Sequence, residues 1–285
     1  MHAQSSPPRI KGLSEIAPDY DGVICDVWGV IHNGRRKFDP AIESMRRFRA
    51  DRGPVVLLSN APRPPEGVIA LFDKLNIAHD FYDAIVTSGG EAREDLIRRT
   101  AGGRRLKLFY LGPQRDHPLF EGLNVGLTEP ANAELVLCTG FYDDETETPD
   151  DYRDLLEIFR LRGLPFLCAN PDIVVQRGDK LIYCAGAIAR LYENMGGEVI
   201  YYGKPYAPIF EAAIRELHKH GAANRPLVIG DGLETDIIGA NRLGIDALFI
   251  VGGIHSSLLE DPAAVAKLLS GSGAHVKALM PELSW

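Results

Sequence analysis

A short apolar run, Val23-Ile24-Cys25, stops abruptly at a carboxylate, Asp26, with Asp19, Asp21 and Gly22 before it and Gly29 soon after. A run of this length bounded by turn-forming residues reads as a strand buried on both faces, as in a parallel sheet. In open α/β sheets ligands bind beyond the carboxyl ends of the strands. Asp26 therefore stands where chemistry is done, and a carboxylate there can coordinate a cation or act as a nucleophile. Gly29 allows a tight turn and a close backbone approach to a ligand. Taken alone, Asp26 could equally cap the turn that follows it. The rest of the chain decides between these readings.

The same pattern recurs downstream. Pro40 opens a helix to about Asp51, with Ile42, Met45 and Phe48 on one face; Val55-Val56-Leu57-Leu58 is a second buried strand ending in Ser59-Asn60; Val68, Leu71, Phe72 and Leu75 mark another helix; Ala84-Ile85-Val86 is a third strand. This β-α-β-α-β order predicts a doubly wound sheet. A middle region of further alternating strands and helices follows, with strands at Lys107–Leu111, Leu135–Cys138 and Pro165–Cys168, helices near 91–100, 152–161 and 185–195, and an acidic loop over 143–151. The first pattern is then expected to resume: a strand at Val199–Tyr202, a helix from Pro208, a strand at Leu227–Ile229 running into Gly230-Asp231-Gly232, a helix over 234–243, a strand over 246–251 and a late helix from Pro262. The expected fold is α/β: a Rossmann-like, doubly wound parallel-sheet core over 1–88 and 196–285, with a smaller α/β cap domain inserted over 89–195. Paired glycines at Gly89-Gly90 and Gly196-Gly197 suit the boundaries.

Bulk properties narrow the function. A net charge of -8 with acids and bases interspersed argues against nucleic acid. No apolar run approaches the roughly 18 residues of a membrane helix, so no membrane partner is expected. The polar, proline-bearing stretch Met1–Pro18 does not read as a signal peptide, and its first residues are expected to be loosely ordered. Cys25, Cys138, Cys168 and Cys184 lie in or at the end of apolar runs without a Cys-x-x-Cys pair. They read as inert buried thiols in a reducing, cytoplasmic setting.

Asp26, Ser59, Lys204, and Asp231 with Asp236 all fall at or just after apolar strands. Phosphoryl transfer needs such a set: a carboxylate nucleophile, a hydroxyl and backbone N–H groups for the phosphoryl oxygens, a lysine to offset charge, and carboxylates to hold Mg²⁺. Asp26-Val27-Trp28-Gly29-Val30, Leu57-Leu58-Ser59-Asn60, Gly203-Lys204-Pro205 and Gly230-Asp231-Gly232-Leu233-Glu234-Thr235-Asp236 resemble the four ordered motifs of the haloacid dehalogenase superfamily. With Asn170-Pro171-Asp172, the resemblance extends to the NagD-like branch, which includes 4-nitrophenylphosphatases and sugar phosphatases, and it spans roughly residues 20–255. It implies an aspartyl-phosphate mechanism with Asp26 as nucleophile and metal ligand, and the backbone carbonyl of Trp28 on the metal. Ser59 would bind the transferring phosphoryl group with the Asn60 backbone near it, and Lys204 would bridge Asp26 and phosphate. Asp231 would ligate Mg²⁺, supported by Asp236. Asn170 and Asp172 would lie on the substrate side near the junction with a cap that selects the leaving group.

One position departs from the pattern. Phosphatases of this superfamily carry an aspartate two residues after the nucleophile, as general acid and base; here the residue is Trp28. An indole N–H only donates and cannot fill that role. Three readings follow: a Mg²⁺-dependent phosphatase of a small phosphorylated metabolite, such as a sugar or aryl phosphate, with a substitute acid (His32 or Asp172) or esters with good leaving groups; a weakly catalytic protein that binds phosphate esters; and a dehalogenase-like hydrolase. The last fits Asp231 and Asp236 poorly, because dehalogenation needs no Mg²⁺. A homo-oligomer stays open.

Overall fold

The computed structural model describes residues 7–177, 180–221, 224–252 and 261–285. The expectation for the first residues falls on 1–6, and 253–255 close the span of the resemblance; both lie outside the described residues. The strands, in chain order, are β1 (Gly22–Asp26), β2 (Val55–Ser59), β3 (Ala84–Thr87), β4 (Leu106–Leu111), β5 (Val125–Leu127), β6 (Leu135–Cys138), β7 (Phe166–Cys168), β8 (Val174–Arg177), β9 (Lys180–Tyr183), β10 (Val199–Tyr201), β11 (Pro226–Gly230), β12 (Asp246–Ile250) and β13 (Ala278–Met280). The chain divides into two units, one of Met1–Ser59, Phe72–Val86 and Phe210–Trp285, the other of Asn60–Leu71 and Thr87–Ile209.

The first unit is built on a six-stranded sheet in the order β13-β12-β11-β1-β2-β3. β1 is buried along its whole length and pairs parallel with β2 and β11. Strand order reverses at β1, with β2 and β3 on one side and β11, β12 and β13 on the other, so the sheet is doubly wound and Rossmann-like. The point of reversal is where such sheets open a crevice at their carboxyl ends. Register does the rest. Cys25 pairs with Ile229 and Asp26 with Leu58. Ser59 thus stands one residue beyond the partner of Asp26, and Asp231 two residues beyond the partner of Cys25.

The second unit has its own five-stranded parallel sheet, β10-β7-β6-β4-β5. Both faces are covered, as side-chain alternation in a strand requires. Leu135 and Leu137 pack with Leu108, Leu167 and, from the helix Ser88–Arg99, Ala92 and Leu96. Val136 and Cys138 belong to the other core with Leu156 and Phe159 of the helix Arg153–Leu161, and Ile188 and Tyr192 of the helix Ala185–Asn194. The buried Tyr192 hydroxyl donates to the Leu164 carbonyl at 2.8 Å.

Several elements differ from the sequence reading. Val199–Tyr201 does not resume the first sheet: it pairs parallel with Phe166–Cys168 at the edge of the second. A three-residue apolar run shows that a strand exists but not which sheet it joins. The strands β5, β8 and β13 are additions, each too short or too polar to show a period, and β8 pairs with β9 as an antiparallel hairpin. Gly89 and Gly90 lie in the first turn of the helix Ser88–Arg99, where the Thr87 hydroxyl accepts from the Gly90 N–H. Gly196 follows the C-terminus of its helix with φ 91°, a usual role for glycine there. Two acids of the acidic loop are paired from elsewhere in the unit: Asp144 with Arg115 and Arg177, and Glu145 with Lys180. All four cysteines are buried and free, and burial pushes the Cys168 thiol up to about 12.

Candidate active site

In the first unit, Asp26 ends β1, Asp231 follows β11, and Asp236 comes one turn later. Each offers a carboxylate oxygen, and the three oxygens lie within 4.8 Å of one another. All three residues are buried, at 7%, 2% and 1% exposure. The backbone supports two of them, since the Val27 N–H donates to Asp26 at 2.7 Å and the Gly232 N–H to Asp236 at 3.0 Å. Carboxylates this close repel unless a cation or a proton intervenes. An all-oxygen, carboxylate-rich donor set suits a hard divalent cation.

The space around this cluster is made by glycine. A Cβ at position 29, where φ is +88°, would stand 2.1 Å from the Asp231 carboxylate. One at position 230 would stand 2.2 Å from Cγ of Asp236, and one at 232 would stand 1.9 Å from Oγ1 of Thr235. The expected helix over 234–243 begins instead as a π turn, Leu233–Ile237, before the α-helix Ile238–Arg242. The wider turn carries Asp236 back to the N–H of Gly232, with the Thr235 hydroxyl 3.4 Å from the same oxygen. Thr235 took no part in the assignment of roles from sequence; a hydroxyl directly before a carboxylate in the motif was the available signal.

Ser59 is buried at the end of β2. Trp28 is half-buried, with its ring edge-on to His32 at 5.3 Å and against Gly34, where a Cβ would stand 2.4 Å from the indole. His32 is 1% exposed and lies between Trp28 and Phe72, the latter ring at 5.9 Å. Its Nδ1 accepts from the Gly34 N–H at 3.0 Å, which places the ring proton on Nε2. Nε2 is buried with no hydrogen-bond partner among the described residues. Burial pushes the imidazole pKa down to about 4. A neutral imidazole with one nitrogen already engaged is poorly suited to be the substitute acid.

In the second unit, Asn60, Lys204 and Asn170 are buried and Asp172 half-buried. Asn60 Nδ2 donates to Asp172 Oδ1 at 2.8 Å and to the Lys204 carbonyl at 3.2 Å, and the Lys204 N–H donates to Asn60 Oδ1 at 2.7 Å. The Asn170 side chain accepts from the Asp172 N–H at 3.1 Å. Ser88 adds a contact that the sequence did not reveal, its hydroxyl donating to the Tyr202 carbonyl.

Residues 23–126 match the family described as haloacid dehalogenase-like hydrolase, and 201–271 match the related family described as HAD-hydrolase-like. The crystal structure of a haloacid dehalogenase-like hydrolase from Brucella suis is 44% identical, covers 97% of this chain and 99% of its own, and superposes with a TM-score of 0.84. The ribonucleotide monophosphatase NagD of Escherichia coli is 26% identical over 82% of this chain and 88% of its own. The D-glycerol 3-phosphate phosphatase of Mycobacterium tuberculosis is 27% identical over 86% of this chain and 67% of its own.

The buried imidazole makes stability depend on pH. Its folded pKa of about 4 lies below the ordinary imidazole value of 6.5, so the neutral form is favoured in the folded state. The contribution is complete above 6.5 and is lost as the pH falls from 6.5 toward 4. The loss attributable to His32 should reach about 3 kcal/mol by pH 4. Denaturant melts of wild type and of His32→Asn, whose amide oxygen can still accept from Gly34 but does not titrate, should converge by that amount over this range. Parallel curves would refute the assignment.

Proposed function

The chain belongs to the haloacid dehalogenase-like hydrolases, and on that premise we propose that it is a Mg²⁺-dependent phosphatase of small phosphorylated metabolites, working through an aspartyl phosphate on Asp26. The observation that carries this reading is the convergence of Asp26, Asp231 and Asp236 at the point where the strand order reverses. The relatives' names, a ribonucleotide monophosphatase and a glycerol-phosphate phosphatase, support a phosphomonoester substrate.

In this mechanism an Asp26 oxygen attacks phosphorus and the ester oxygen departs with the bonding electrons. Water then attacks the same phosphorus and frees Asp26 and inorganic phosphate. The Val27 N–H, 2.7 Å from Oδ1, fixes the orientation of the nucleophile. The Ser59 hydroxyl and the Asn60 backbone serve the phosphoryl oxygens, and Lys204 offsets the negative charge of nucleophile and phosphate. Asp26, Asp231, Asp236 and the backbone carbonyl of Trp28 would hold Mg²⁺, which when bound supplies positive charge against the phosphoryl oxygens. Asn170 and Asp172 belong to the substrate-binding turn of the second unit, which acts as the cap that selects the leaving group.

Trp28 sets the expected selectivity. General acid–base help is typically worth a factor of ~10²–10⁴. Without it, aryl and acyl phosphates, whose leaving oxyanions are weakly basic, should react, and alkyl phosphates should lag. The same residue favours a second reading, a protein that binds phosphate esters and turns them over slowly if at all.

Two measurements test these assignments. In the first, Mg²⁺ should raise the melting temperature, since a ligand bound at about 100 times its Kd stabilises the folded state by roughly 2.7 kcal/mol. Asp231→Asn should remove most of that rise, and equal responses of wild type and variant would refute the metal assignment. In the second, phosphate release should be readily measured from 4-nitrophenyl phosphate and ~10²-fold or more slower from glycerol phosphate. Comparable rates would mean that another group supplies the proton. No release from any ester, with the Mg²⁺ stabilisation intact, would leave the binding reading in place.

A further inference from the structure

The strand β10 ends at Tyr201, and the last sheet-like bond beyond it is from the Tyr202 N–H to the Cys168 carbonyl at 2.9 Å. The chain then turns through Gly203-Lys204-Pro205. Backbone groups buried in such a turn need partners that the sheet no longer provides. For Lys204, one side chain supplies both. Asn60 accepts from its N–H at 2.7 Å and donates to its C=O at 3.2 Å. The second donor of the same amide goes to Asp172 at 2.8 Å.

An amide nitrogen has two protons to donate, and both of Asn60's are engaged within the fold. The residue is 5% exposed. The turn is boxed in around it: a Cβ at Gly203, where φ is +119°, would stand 2.5 Å from Asn60 Oδ1 and 2.8 Å from both Pro171 Cδ and Ser88 Oγ. Only an amide meets all three demands. A carboxylate at this position would set oxygen against the Lys204 carbonyl and against Asp172, and a shorter side chain would leave buried backbone groups without partners.

We propose that Asn60 is a positioning residue whose side-chain amide clamps the Lys204 backbone and ties it to Asp172, so that it acts on the reaction through the placement of Lys204 rather than by binding substrate with that amide. The inference rests on the reading of Lys204 as the cation of the phosphatase site, and it extends that reading to how the lysine is held.

Two measurements on the full-length protein judge it. The first is independent of turnover: amide hydrogen exchange at Lys204 should be tenfold or more faster in Asn60→Ala, with the amides of β1 unchanged, because the partner of that N–H is gone. Unchanged protection at Lys204 would overturn the clamp. The second is a double-mutant cycle with 4-nitrophenyl phosphate. Asn60→Ala should lower kcat/KM by roughly 10- to 100-fold. In a Lys204→Met background the same substitution should change it by less than about twofold, since an interaction that works through Lys204 is already lost. Additive losses would mean that Asn60 meets the substrate directly. If wild type shows no turnover on any ester, the phosphatase reading falls, and the exchange measurement still decides on the clamp. Should Asn60→Ala fail to fold, Asn60→Ser removes the same hydrogen bonds and carries both tests with the same expected results.

Discussion

Three carboxylates buried within 4.8 Å of one another impose a condition on everything around them. Their charges can coexist only if backbone dipoles, a cation or a proton compensate them. The chain meets part of that condition with N–H groups from Val27 and Gly232. It meets the geometric part with strand register, which brings the ends of β1 and β11 side by side. The glycines at 29, 230 and 232 keep side-chain volume out of the space that the carboxylates occupy. The π turn is the remaining adjustment, because a plain α-helix starting at Leu233 would carry Asp236 on a tighter turn. Each is a local departure from regular structure, and all of them serve the same few atoms.

The same neighbourhood constrains proton chemistry. Trp28 offers an N–H donor and no basic atom. His32, beside it, is neutral, with Nδ1 engaged by Gly34. In the second unit, Asp172, the other candidate acid, has an oxygen taken up by Asn60. On the proposed reading, the site works chiefly through charge placed against charge, with Asp26, Lys204 and a bound cation as its principal parts. The order of precision required is then electrostatic: a displaced lysine weakens the site even where nothing is missing from it.

Much of this was legible in the sequence. The apolar runs ending in Asp26, Ser59 and Asp231 announced strands with polar ends, and three of the four motif stretches fall where the first sheet's register brings them to one edge. The fourth shows where sequence reading stops. Gly203-Lys204-Pro205 follows a strand of the second sheet, and no periodicity in Val199–Tyr201 distinguishes one sheet from another. Asn60 was noticed as part of a motif, but its bonds to Lys204 and Asp172 span 144 and 112 residues of chain, a pairing no local pattern encodes. The acidic loop was read from its own charges alone, while the arginines that pair with its Asp144 come from residues 115 and 177.

Trp28 also has an optical consequence. The chain has two tryptophans, and the other, Trp285, is the last residue. The indole at position 28 is half-buried, edge-on to an imidazole and two residues from the proposed nucleophile. With Trp285 replaced by phenylalanine, the tryptophan emission of the protein, excited selectively over its ten tyrosines, would arise from that ring alone. Trp28 thus makes the site its own spectroscopic probe, and events at Asp26 could be followed by emission in real time without a chromogenic substrate or an attached dye.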